Sequence, residues 1–534
     1  MINRLFATTA VLALGAGASQ AESVLHILHT NDFHSRIESI NKYDSTCDAE
    51  TEAGGECFGG TARLVSKIAE LRKEFADAGE PVLLLDAGDQ FQGSLFYTTY
   101  KGEAAAEFMN QLGYDAMAVG NHEFDDGPAV LASFMDKVKF PVISANIDAS
   151  QSNLLKDKLR GSAVIEVGGE KIGIVGGTTT STPEISAPGQ QLIFQDEAES
   201  MAADAEEMTD QGVTKIIGLT HAGYMRDQEI AARVPGLDAL IGGHTNTFLS
   251  DGDEDADGPY PTLVGGADGA EVPVVQAYAY GKYIGHLKLT FDDSGKVTAA
   301  EGGPILLDAS VTPDEATVTR IAELAGPIDE LRNKIVAETS TSINGERTEC
   351  RHRECEMGNL VADAMVDRVK DQGITIAFQN GGGLRASIDA GPVTMGEIYS
   401  VLPFQNTLAT FQIKGADIVA ALETGVSELE EDGGRFAQVS GLKYSFDPAG
   451  EVDSRISDVM VAADGNWAPI DPAATYGVAT NNFMRNGGDG YEMFETGAIN
   501  PYDFGPDVAE VLAEYLARMG SGYAPALDGR ITEK

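Results

Sequence analysis

The chain has 534 residues, of which 43% are hydrophobic, enough for two or three domains with sizeable cores. Its 83 acidic and 37 basic residues give a formal net charge of −46. This charge argues against nucleic-acid duplexes and anionic membranes as partners, because both are also negative. An anionic ligand would need local cations that reverse the field inside its binding site.

The first residues follow the pattern of a secretory signal peptide. Arg4 precedes a short apolar run over residues 6–18, and a small-x-small triplet ends at Ala21. The run is too short to span a membrane, no stop-transfer pattern follows it, and the polar C-terminus carries no lipid-anchor signal. We therefore assign residues 1–21 to a cleaved signal peptide and expect a periplasmic or secreted protein without a membrane anchor.

Strand-like and helix-like runs alternate through the first half of the chain, which predicts an α/β layer fold. The buried-strand candidates are residues 24–30, 81–86, 115–120, 140–147, 171–176, 215–220 and 237–242, with helical patterns between them that include residues 61–75 and 103–112. Side chains that suit divalent metals follow several of these strands. Open α/β sheets place their binding crevices at these strand ends.

The composition changes near residue 310. Pro313 and the acidic residues after it predict a helix start with proline at the first helical position. We interpret residues 313–336 as a linker helix, interrupted at Pro327, between domains at residues 22–312 and 337–534. Further elements of the second domain are a helix, a strand and two glycine-rich turns, at residues 358–370, 374–378, 380–383 and 486–490.

Four cysteines agree with an oxidising compartment. They allow three pairings, and proximity favours Cys47 with Cys57 and Cys350 with Cys355. The rival interpretation is a zinc site, but neither pair combines a structural-zinc spacing with nearby histidines.

An acidic segment at residues 251–258 resembles a calcium-binding loop at four positions. Its twelfth position is Val264 rather than glutamate, and no helical pattern flanks it. We prefer a solvated acidic loop, and the sequence leaves calcium binding open.

Five stretches end apolar runs with Asp, His or Asn side chains, and four of the eight histidines lie in them. They are Asp32-Phe33-His34, Gly88-Asp89, Gly120-Asn121-His122-Glu123-Phe124-Asp125, Thr220-His221 and Gly242-Gly243-His244-Thr245-Asn246. Their recurrence predicts one assembled two-metal centre for phosphate-ester hydrolysis. The remaining histidines lack this setting and are interpreted as structural or surface residues: His26, His29, His286 and His352.

Individual positions within these stretches suggest separate roles. Asp32 and His34 alternate on an expected extended segment, so both can face one ion. Asp89 follows a glycine and can bridge two ions. His122 points toward the substrate, and Asp125, three residues later, can hydrogen-bond its imidazole and keep it protonated.

The five stretches, in this order, resemble those of the calcineurin-like metallophosphoesterases, and the whole mature chain resembles the 5′-nucleotidase family. Animal ecto-5′-nucleotidases match more closely than periplasmic UDP-sugar hydrolases at residues 243–248, 274–278 and 350–355. The resemblance implies an α/β protein with three parts. These are an N-terminal four-layer αββα metallophosphoesterase sandwich, a linker helix and a C-terminal α/β nucleotide-binding domain.

The resemblance also implies two divalent metal ions, with zinc preferred and manganese or cobalt as alternatives. One ion would be held by Asp32, His34, Asp89 and Asn246, and the other by Asp89, Asn121, His221 and His244. His122 and Asp125 would be the catalytic pair. Many bacterial relatives have a histidine-containing motif at this point, whereas this chain has Asn246, as the animal enzymes do.

Six residues of the second domain match the family's nucleotide-binding motifs. They are Arg351, Asn380, Arg385, Phe404, Phe483 and Asp489. Two phenylalanines can sandwich a base, a carboxylate suits a ribose diol, and arginines clamp phosphate.

The resemblance implies an exported 5′-nucleotidase that hydrolyses nucleoside 5′-phosphates, such as AMP, with a water activated by two metals. Alternatives with the same fold are a UDP-sugar hydrolase, a 2′,3′-cyclic nucleotide phosphodiesterase and, disfavoured by the nucleoside motifs, a thiosulfate-ester hydrolase. A nucleotide- or metal-binding protein without turnover is opposed by the complete ligand set. The preferred nucleotide and the oligomeric state stay open.

Overall fold

The structure, a computed structural model, describes residues 23–534 apart from residues 43, 45, 48, 464, 465 and 504. The assigned signal peptide therefore lies outside the described residues. Within the described part, none of the helices combines the length and apolar character needed to cross a membrane. Disulfides join Cys47 to Cys57 and Cys350 to Cys355, which confirms the pairing favoured by proximity.

The first half of the chain alternates strands and helices, as predicted. Its strands are β1 (Ser23–Thr30), β2 (Val82–Asp86), β3 (Ala116–Ala118), β4 (Val142–Ile143), β5 (Ile147–Asp148), β6 (Ser162–Val167), β7 (Glu170–Thr178), β8 (Ile193–Phe194), β9 (Lys215–His221), β10 (Ala239–Ile241), β11 (Thr262–Gly265), β12 (Glu271–Val275), β13 (Tyr283–Phe291) and β14 (Val297–Leu306). Its helices are α1 (Ala49–Gly54), α2 (Thr61–Ala78), α3 (Leu95–Tyr100), α4 (Glu103–Leu112), α5 (Pro128–Met135), α6 (Thr182–Ile185), α7 (Glu197–Asp210) and α8 (Tyr224–Arg233).

Two six-stranded sheets form the centre of this half, in the orders β14-β13-β1-β2-β3-β4 and β11-β12-β10-β9-β7-β6. Their facing sides share one apolar core, in which Leu25 and Leu83 of the first sheet join Ile172 and Ile217 of the second. Helices α2, α4 and α5 pack outside the first sheet, and α7 and α8 outside the second. This arrangement confirms the four-layer αββα sandwich.

The second half forms a separate set of sheets. Its strands are β15 (Ile335–Thr339), β16 (Ile376–Asn380), β17 (Gly391–Thr394), β18 (Leu408–Lys414), β19 (Ala437–Ser440), β20 (Leu442–Phe446), β21 (Ile456–Ala463), β22 (Asn466–Pro469), β23 (Thr475–Asn481), β24 (Ile499–Tyr502), β25 (Ser521–Tyr523) and β26 (Ile531–Glu533). Its helices are α9 (Glu315–Ala325), α10 (Asp329–Arg332), α11 (Arg347–Cys350), α12 (Glu356–Val369), α13 (Met395–Val401), α14 (Gly415–Gly425), α15 (Asn482–Arg485), α16 (Glu492–Thr496) and α17 (Val508–Met519).

The largest sheet of this half has the order β19-β16-β23-β18-β24, and α12 packs on it beside α17. Smaller sheets have the orders β22-β21-β20-β26 and β17-β15-β25. Short 3-10 helices occur at His122–Phe124, Lys370–Gln372, Gly381–Gly383, Leu429–Glu431 and Gly488–Gly490.

The predicted helix over residues 313–336 was wrong in its extent. Asp314 caps α9 through its side chain, so Pro313 precedes the helix instead of starting it. The helix ends before Pro327, which lacks a backbone N–H and clashes with the preceding turn. The chain resumes as α10 and then enters β15, whose β-branched Ile335 and Val336 suit a strand.

The strand predicted over residues 374–378 also differs, because it runs to Asn380. Gln379 and Asn380 are buried polar residues, which a search for apolar runs does not include. Hydrogen bonds from Asn481 to both side chains satisfy them inside the sheet.

Candidate active site

The structure brings all seven predicted metal ligands to one edge of the paired sheets, where parallel strands end. Asp32 and His34 follow β1, Asp89 follows β2, Asn121 follows β3, His221 ends β9, and His244 and Asn246 follow β10. Side-chain atoms of His34, Asp89 and His122 all lie within 4.8 Å of one another, and so do those of Asp89, His221 and His244, so Asp89 belongs to both groups.

Five of these seven residues adopt left-handed backbone conformations. Their φ angles are 49° at Asp32, 48° at His34, 59° at Asp89, 77° at His244 and 56° at Asn246. Asp, Asn and His tolerate this region better than other residues with side chains, and such strain clusters at functional sites. The expected extended segment was therefore wrong, although Asp32 Oδ1 still lies 3.9 Å from His34 Nε2.

The carboxylate of Asp89 lies at the centre of the site. Its Oδ2 atom is 3.0 Å from His221 Nε2, 3.8 Å from His34 Nε2 and 3.9 Å from His122 Nε2. Its Oδ1 atom accepts a hydrogen bond from the His122 backbone N–H at 2.9 Å. Burial opposes ionisation, but the three histidines together hold the pKa of Asp89 well below its usual range. The geometry therefore suits a bridging ligand.

Four predicted ligands carry buried atoms that make no hydrogen bond: Asp32 Oδ1, Asn121 Oδ1, His221 Nε2 and Asn246 Oδ1. The His221 atom is close to Asp89 but is not aligned for hydrogen bonding. A buried polar atom without a partner costs about 1–3 kcal/mol. Cations at the centre would satisfy all four, and this mixture of oxygen and nitrogen donors fits divalent metals.

Backbone carbonyls fix the orientation of two of the histidine rings. His34 Nδ1 donates to Phe91 O at 2.9 Å, and His221 Nδ1 donates to Ala87 O at 2.7 Å. These bonds leave both Nε2 atoms facing the centre, the usual arrangement of metal-binding histidines. Burial, followed by the charge of Arg385, holds the pKa of His34 well below its usual value.

Glu123 is a site residue that sequence reasoning missed. Its fully buried carboxylate accepts four backbone N–H groups, from Asp89 at 3.0 Å, Gly120 at 2.7 Å, Gln90 at 2.8 Å and Phe91 at 3.2 Å. One side chain thus joins the turn of the bridging Asp89 to the turn after β3. The sequence feature that could have identified Glu123 is its position directly after the predicted site residues Asn121 and His122.

The predicted contact between His122 and Asp125 is present, with Nδ1 and Oδ2 2.6 Å apart. Ser186 Oγ donates to the other oxygen of Asp125 at 2.6 Å and so fixes the carboxylate. Burial favours a neutral imidazole, but Asp125 and Asp89 outweigh it and raise the pKa of His122. The ring is thus suited to carry a proton at the edge of the proposed metal centre.

Two predicted substrate residues reach this centre from the second domain. Arg385 Nη2 donates to His34 Nε2 at 2.9 Å. The ring of Phe404 stacks on that of His122, with centroids 5.4 Å apart and an interplanar angle of 15°. The two domains therefore meet directly over the predicted metal site.

Two of the predicted nucleotide-binding residues, Asn380 and Asp489, lie close together. Asn380 Nδ2 donates to Asp489 Oδ2 at 2.7 Å, and both residues are buried. Phe483 packs on Gly488, where an added Cβ would lie 2.5 Å from the ring. This close approach requires glycine at position 488.

Arg351 is also nearly buried, and a second arginine that the sequence reasoning missed lies beside it. Arg351 Nη1 donates to Asp432 O at 2.9 Å, whereas Arg347 donates through Nε to the Asp432 carboxylate at 2.8 Å. Arg347 Nη2 also reaches His244 O in the first domain, at 3.4 Å. Burial, followed by Arg347, lowers the pKa of Arg351 to about 9.

The four histidines outside the site form hydrogen bonds with other side chains, as expected for structural residues. His26 bonds His286 at 2.9 Å and Glu80 at 2.8 Å. His29 bonds the hydroxyl of Tyr260 at 2.8 Å. The fourth histidine of this set, at position 352, bonds an aspartate of the second domain.

Two family descriptions match the sequence: "Calcineurin-like phosphoesterase" over residues 25–248 and "5'-nucleotidase, C-terminal domain" over residues 335–496. A snake venom 5′-nucleotidase from Gloydius brevicauda is 38% identical, over 98% of this chain and 90% of its own length. The chain belongs to the 5′-nucleotidase family.

Other members of the 5′-nucleotidase family match to a similar extent. The 5′-nucleotidase of Rattus norvegicus is 39% identical, over 99% of this chain and 93% of its own length. The crystal structure of a 5′-nucleotidase precursor from Thermus thermophilus has a TM-score of 0.90 and 41% identity, covering 96% of this chain and 99% of that one. The predicted family, the two-domain fold and the class of metal-dependent phosphomonoesterase are thereby confirmed.

Proposed function

We propose that this protein is an exported 5′-nucleotidase, which hydrolyses nucleoside 5′-phosphates such as AMP to nucleoside and phosphate. The observation that carries the proposal is the meeting of two sets of residues. Metal ligands from both sheets converge on Asp89, and the predicted nucleotide-binding residues Arg385 and Phe404 lie directly against them. The same cleft thus presents groups for phosphate chemistry and for nucleoside binding.

Two divalent ions would be held here, with Asp89 as a ligand of both. Asp32, His34 and Asn246 would complete one site, and Asn121, His221 and His244 would complete the other. The separate grouping of His34 with Asp89, and of His221 and His244 with Asp89, supports this division. When bound, divalent ions (zinc, or alternatively manganese or cobalt) would supply polarisation of the phosphoryl oxygens and activation of a water molecule.

His122 stabilises the negative charge that develops on the phosphate or protonates the leaving alkoxide. Asp125 holds the imidazole through Nδ1, leaving Nε2 as the atom that carries the proton toward substrate. Ser186 holds Asp125 in turn. This chain of hydrogen bonds fixes the direction of the proton donor before substrate binds.

The second domain binds the rest of the nucleotide. Arg351 and Arg385 bind the phosphate, and their charges offset the acidic field of the chain locally. Phe404 and Phe483 stack on the base, while Asn380 and Asp489 bind the ribose. The hydrogen bond from Asn380 orients the Asp489 carboxylate. The carboxylate can accept further hydrogen bonds from the ribose.

The contacts between the domains require movement during turnover. His34 Nε2 accepts a hydrogen bond from Arg385 here, and the same lone pair is needed for an ion. Phe404 cannot stack on a base with the face that covers His122. We place the pivot near α10. A disulfide engineered between α3 and α13, which are in contact across the domain boundary, should abolish turnover until it is reduced; full activity of the oxidised protein would contradict the movement.

Three features support export: the signal-peptide pattern, the two disulfides and the similarity to venom enzymes. Fractionation of cells that produce the full chain tests it. Protein that remains unprocessed in the cytoplasm would refute this part of the proposal.

A panel of AMP, UDP-glucose and 2′,3′-cyclic AMP distinguishes the proposal from its alternatives. Metal-loaded protein should hydrolyse AMP with a kcat/KM at least about tenfold above that for the other two. Loss of each substrate is measured, because the first cleavage of UDP-glucose or of the cyclic nucleotide frees no inorganic phosphate. Preference for UDP-glucose or the cyclic nucleotide would replace the proposal with the corresponding alternative. Binding of AMP without turnover would indicate a nucleotide-binding protein.

A further inference from the structure

One aspartate outside the predicted site contacts two arginines and a histidine of the segment around the Cys350–Cys355 disulfide. Asp432 accepts from Arg347 Nε at 2.8 Å and contacts His352 Nε2 at 2.6 Å through its carboxylate. Its backbone carbonyl accepts from Arg351 Nη1 at 2.9 Å. Both arginines are therefore oriented from a single position.

The loop that carries Asp432 is itself held in place. Its φ angle of 57° is left-handed, a conformation that Asp and Asn tolerate. Two residues later, Gly434 O accepts from the N–H of Gly382, in the turn that follows the predicted nucleotide-binding Asn380. This backbone hydrogen bond, which does not involve the Asp432 side chain, fixes the loop against the turn after Asn380.

Burial alone would raise the pKa of Asp432, but Arg347, His352 and Arg351 lower it well below its usual value. The carboxylate therefore stays ionised. Arg347 and Arg351, four residues apart, repel each other. Asp432 offsets this repulsion and allows both guanidinium groups to stay on the same side of the turn.

The side on which the arginines lie is the proposed metal edge. Arg347 Nη2 reaches the carbonyl of His244 across the domain boundary at 3.4 Å. The Nε atom of Arg351 is buried and makes no hydrogen bond. Both observations indicate that the guanidinium groups of Arg347 and Arg351 lie where they can bind an anion.

We propose that Asp432 is a positioning residue for phosphate binding, which acts by holding Arg347 beside Arg351 at the His244 edge of the site. The inference rests on the proposed function, because it requires Arg351 to bind the substrate phosphate. Asp432 itself need not touch substrate. Loss of its charge should weaken binding of the phosphate and leave binding of the nucleoside unchanged.

Isothermal titration of metal-loaded full-length protein with inorganic phosphate and with adenosine tests this separation. In Asp432→Asn, the Kd for phosphate should rise about tenfold, the effect of one charged hydrogen bond. The Kd for adenosine should stay within about twofold. Asp453→Asn is the matched control, because Asp453 is exposed in the same domain and has a similar φ of 65°.

A double variant tests the route through Arg347. If Asp432 acts through this arginine, adding Asp432→Asn to Arg347→Gln should change the phosphate Kd by less than about threefold. Independent tenfold losses would overturn the proposed route. Should Asp432→Asn fail to fold, Arg347→Gln carries the test: an unchanged phosphate Kd overturns the inference, and a tenfold loss with normal adenosine binding supports it.

Parallel weakening of phosphate and adenosine binding in Asp432→Asn would indicate a merely structural role and overturn the inference. An unchanged phosphate Kd, or no phosphate binding by the wild type, would also overturn it. None of these titrations requires turnover. Failure of the wild type to hydrolyse nucleotides would therefore reject the proposed function separately from the role of Asp432.

Discussion

Phe404 lies flat against His122, with ring centroids 5.4 Å apart, so the proposed base platform of one domain covers the proposed proton donor of the other. Nearby, Arg385 Nη2 donates a hydrogen bond to His34 Nε2. Both contacts join nucleotide recognition to the metal edge. They also occupy surfaces that a bound nucleotide needs, which makes Phe404 the most informative residue for separating base binding from phosphate chemistry.

Replacing Phe404 with alanine should raise the KM for AMP about tenfold, because base–aromatic stacking contributes about 1–3 kcal/mol. The kcat/KM for ribose 5-phosphate, which has no base, should change less than about twofold. Steady-state kinetics on both substrates measure this. Trp467→Ala, at an exposed aromatic residue of the same domain, is the control. Equal losses for both substrates would contradict a role in stacking.

Asp125→Asn should lower kcat by about 10²–10⁴-fold, because an amide cannot stabilise the protonated imidazole of His122. Metal content and KM should change little. The neighbouring Asp126→Asn provides a matched control, since Asp126 instead accepts from Tyr97 and Lys101. A kcat within threefold of the wild type, or equal losses in the two variants, would refute the pairing of His122 with Asp125.

Glu123→Gln should destabilise the protein by about 3 kcal/mol and reduce the amount of metal bound. The new amide would place an N–H₂ group against backbone N–H donors that now share one carboxylate. Chemical denaturation and metal analysis measure the two effects. Glu70→Gln, at an exposed glutamate, should change neither. Normal stability and metal content in Glu123→Gln would show that the carboxylate does not hold the two turns together.

Much of the site follows from the sequence, because its chemistry is local. Asp, His and Asn occur where apolar strands end, and parallel strands bring those ends to one edge of a sheet. The contact of His122 with Asp125 could be predicted for the same reason. The two residues are three positions apart on one tight turn, so the turn itself brings their side chains together.

The turn after β1 could not be predicted, because distant backbone contacts determine it. The N–H groups of Asp32 and His34 donate to the carbonyls of Gly88 and Asp89 in another loop. These long-range bonds hold both residues in left-handed conformations in place of the expected extended segment. The role of Glu123 also depends on contact between loops, because its carboxylate accepts from the N–H of Asp89. The role of Arg347 depends on a contact between the domains, with the carbonyl of His244.

The pH dependence of stability should include a contribution from His29. Burial, followed by the charge of His286, lowers the pKa of His29 to about 3, from 6.5 when it is exposed. Between these values the unfolded chain binds the proton and the folded chain does not, so stability is present above pH 6.5 and is lost as the pH falls toward 3. The loss should be on the order of 3 kcal/mol by about pH 4.

Urea unfolding at several pH values measures this effect. His29→Gln removes the titrating group, so its unfolding free energy should fall less steeply with decreasing pH than that of the wild type. Equal slopes for the two proteins would show that His29 does not titrate as its burial requires.

The central claim is that ligands converging on Asp89 hold metal ions that hydrolyse a nucleoside 5′-phosphate. Its most direct test is phosphate release from AMP by purified protein before chelation, after chelation and after return of zinc or manganese, beside Asp89→Asn. We expect activity to disappear with the metal, to return with it, and to stay below about 1% in the variant. Undiminished phosphate release after chelation, or near-wild-type turnover by Asp89→Asn, would contradict the account.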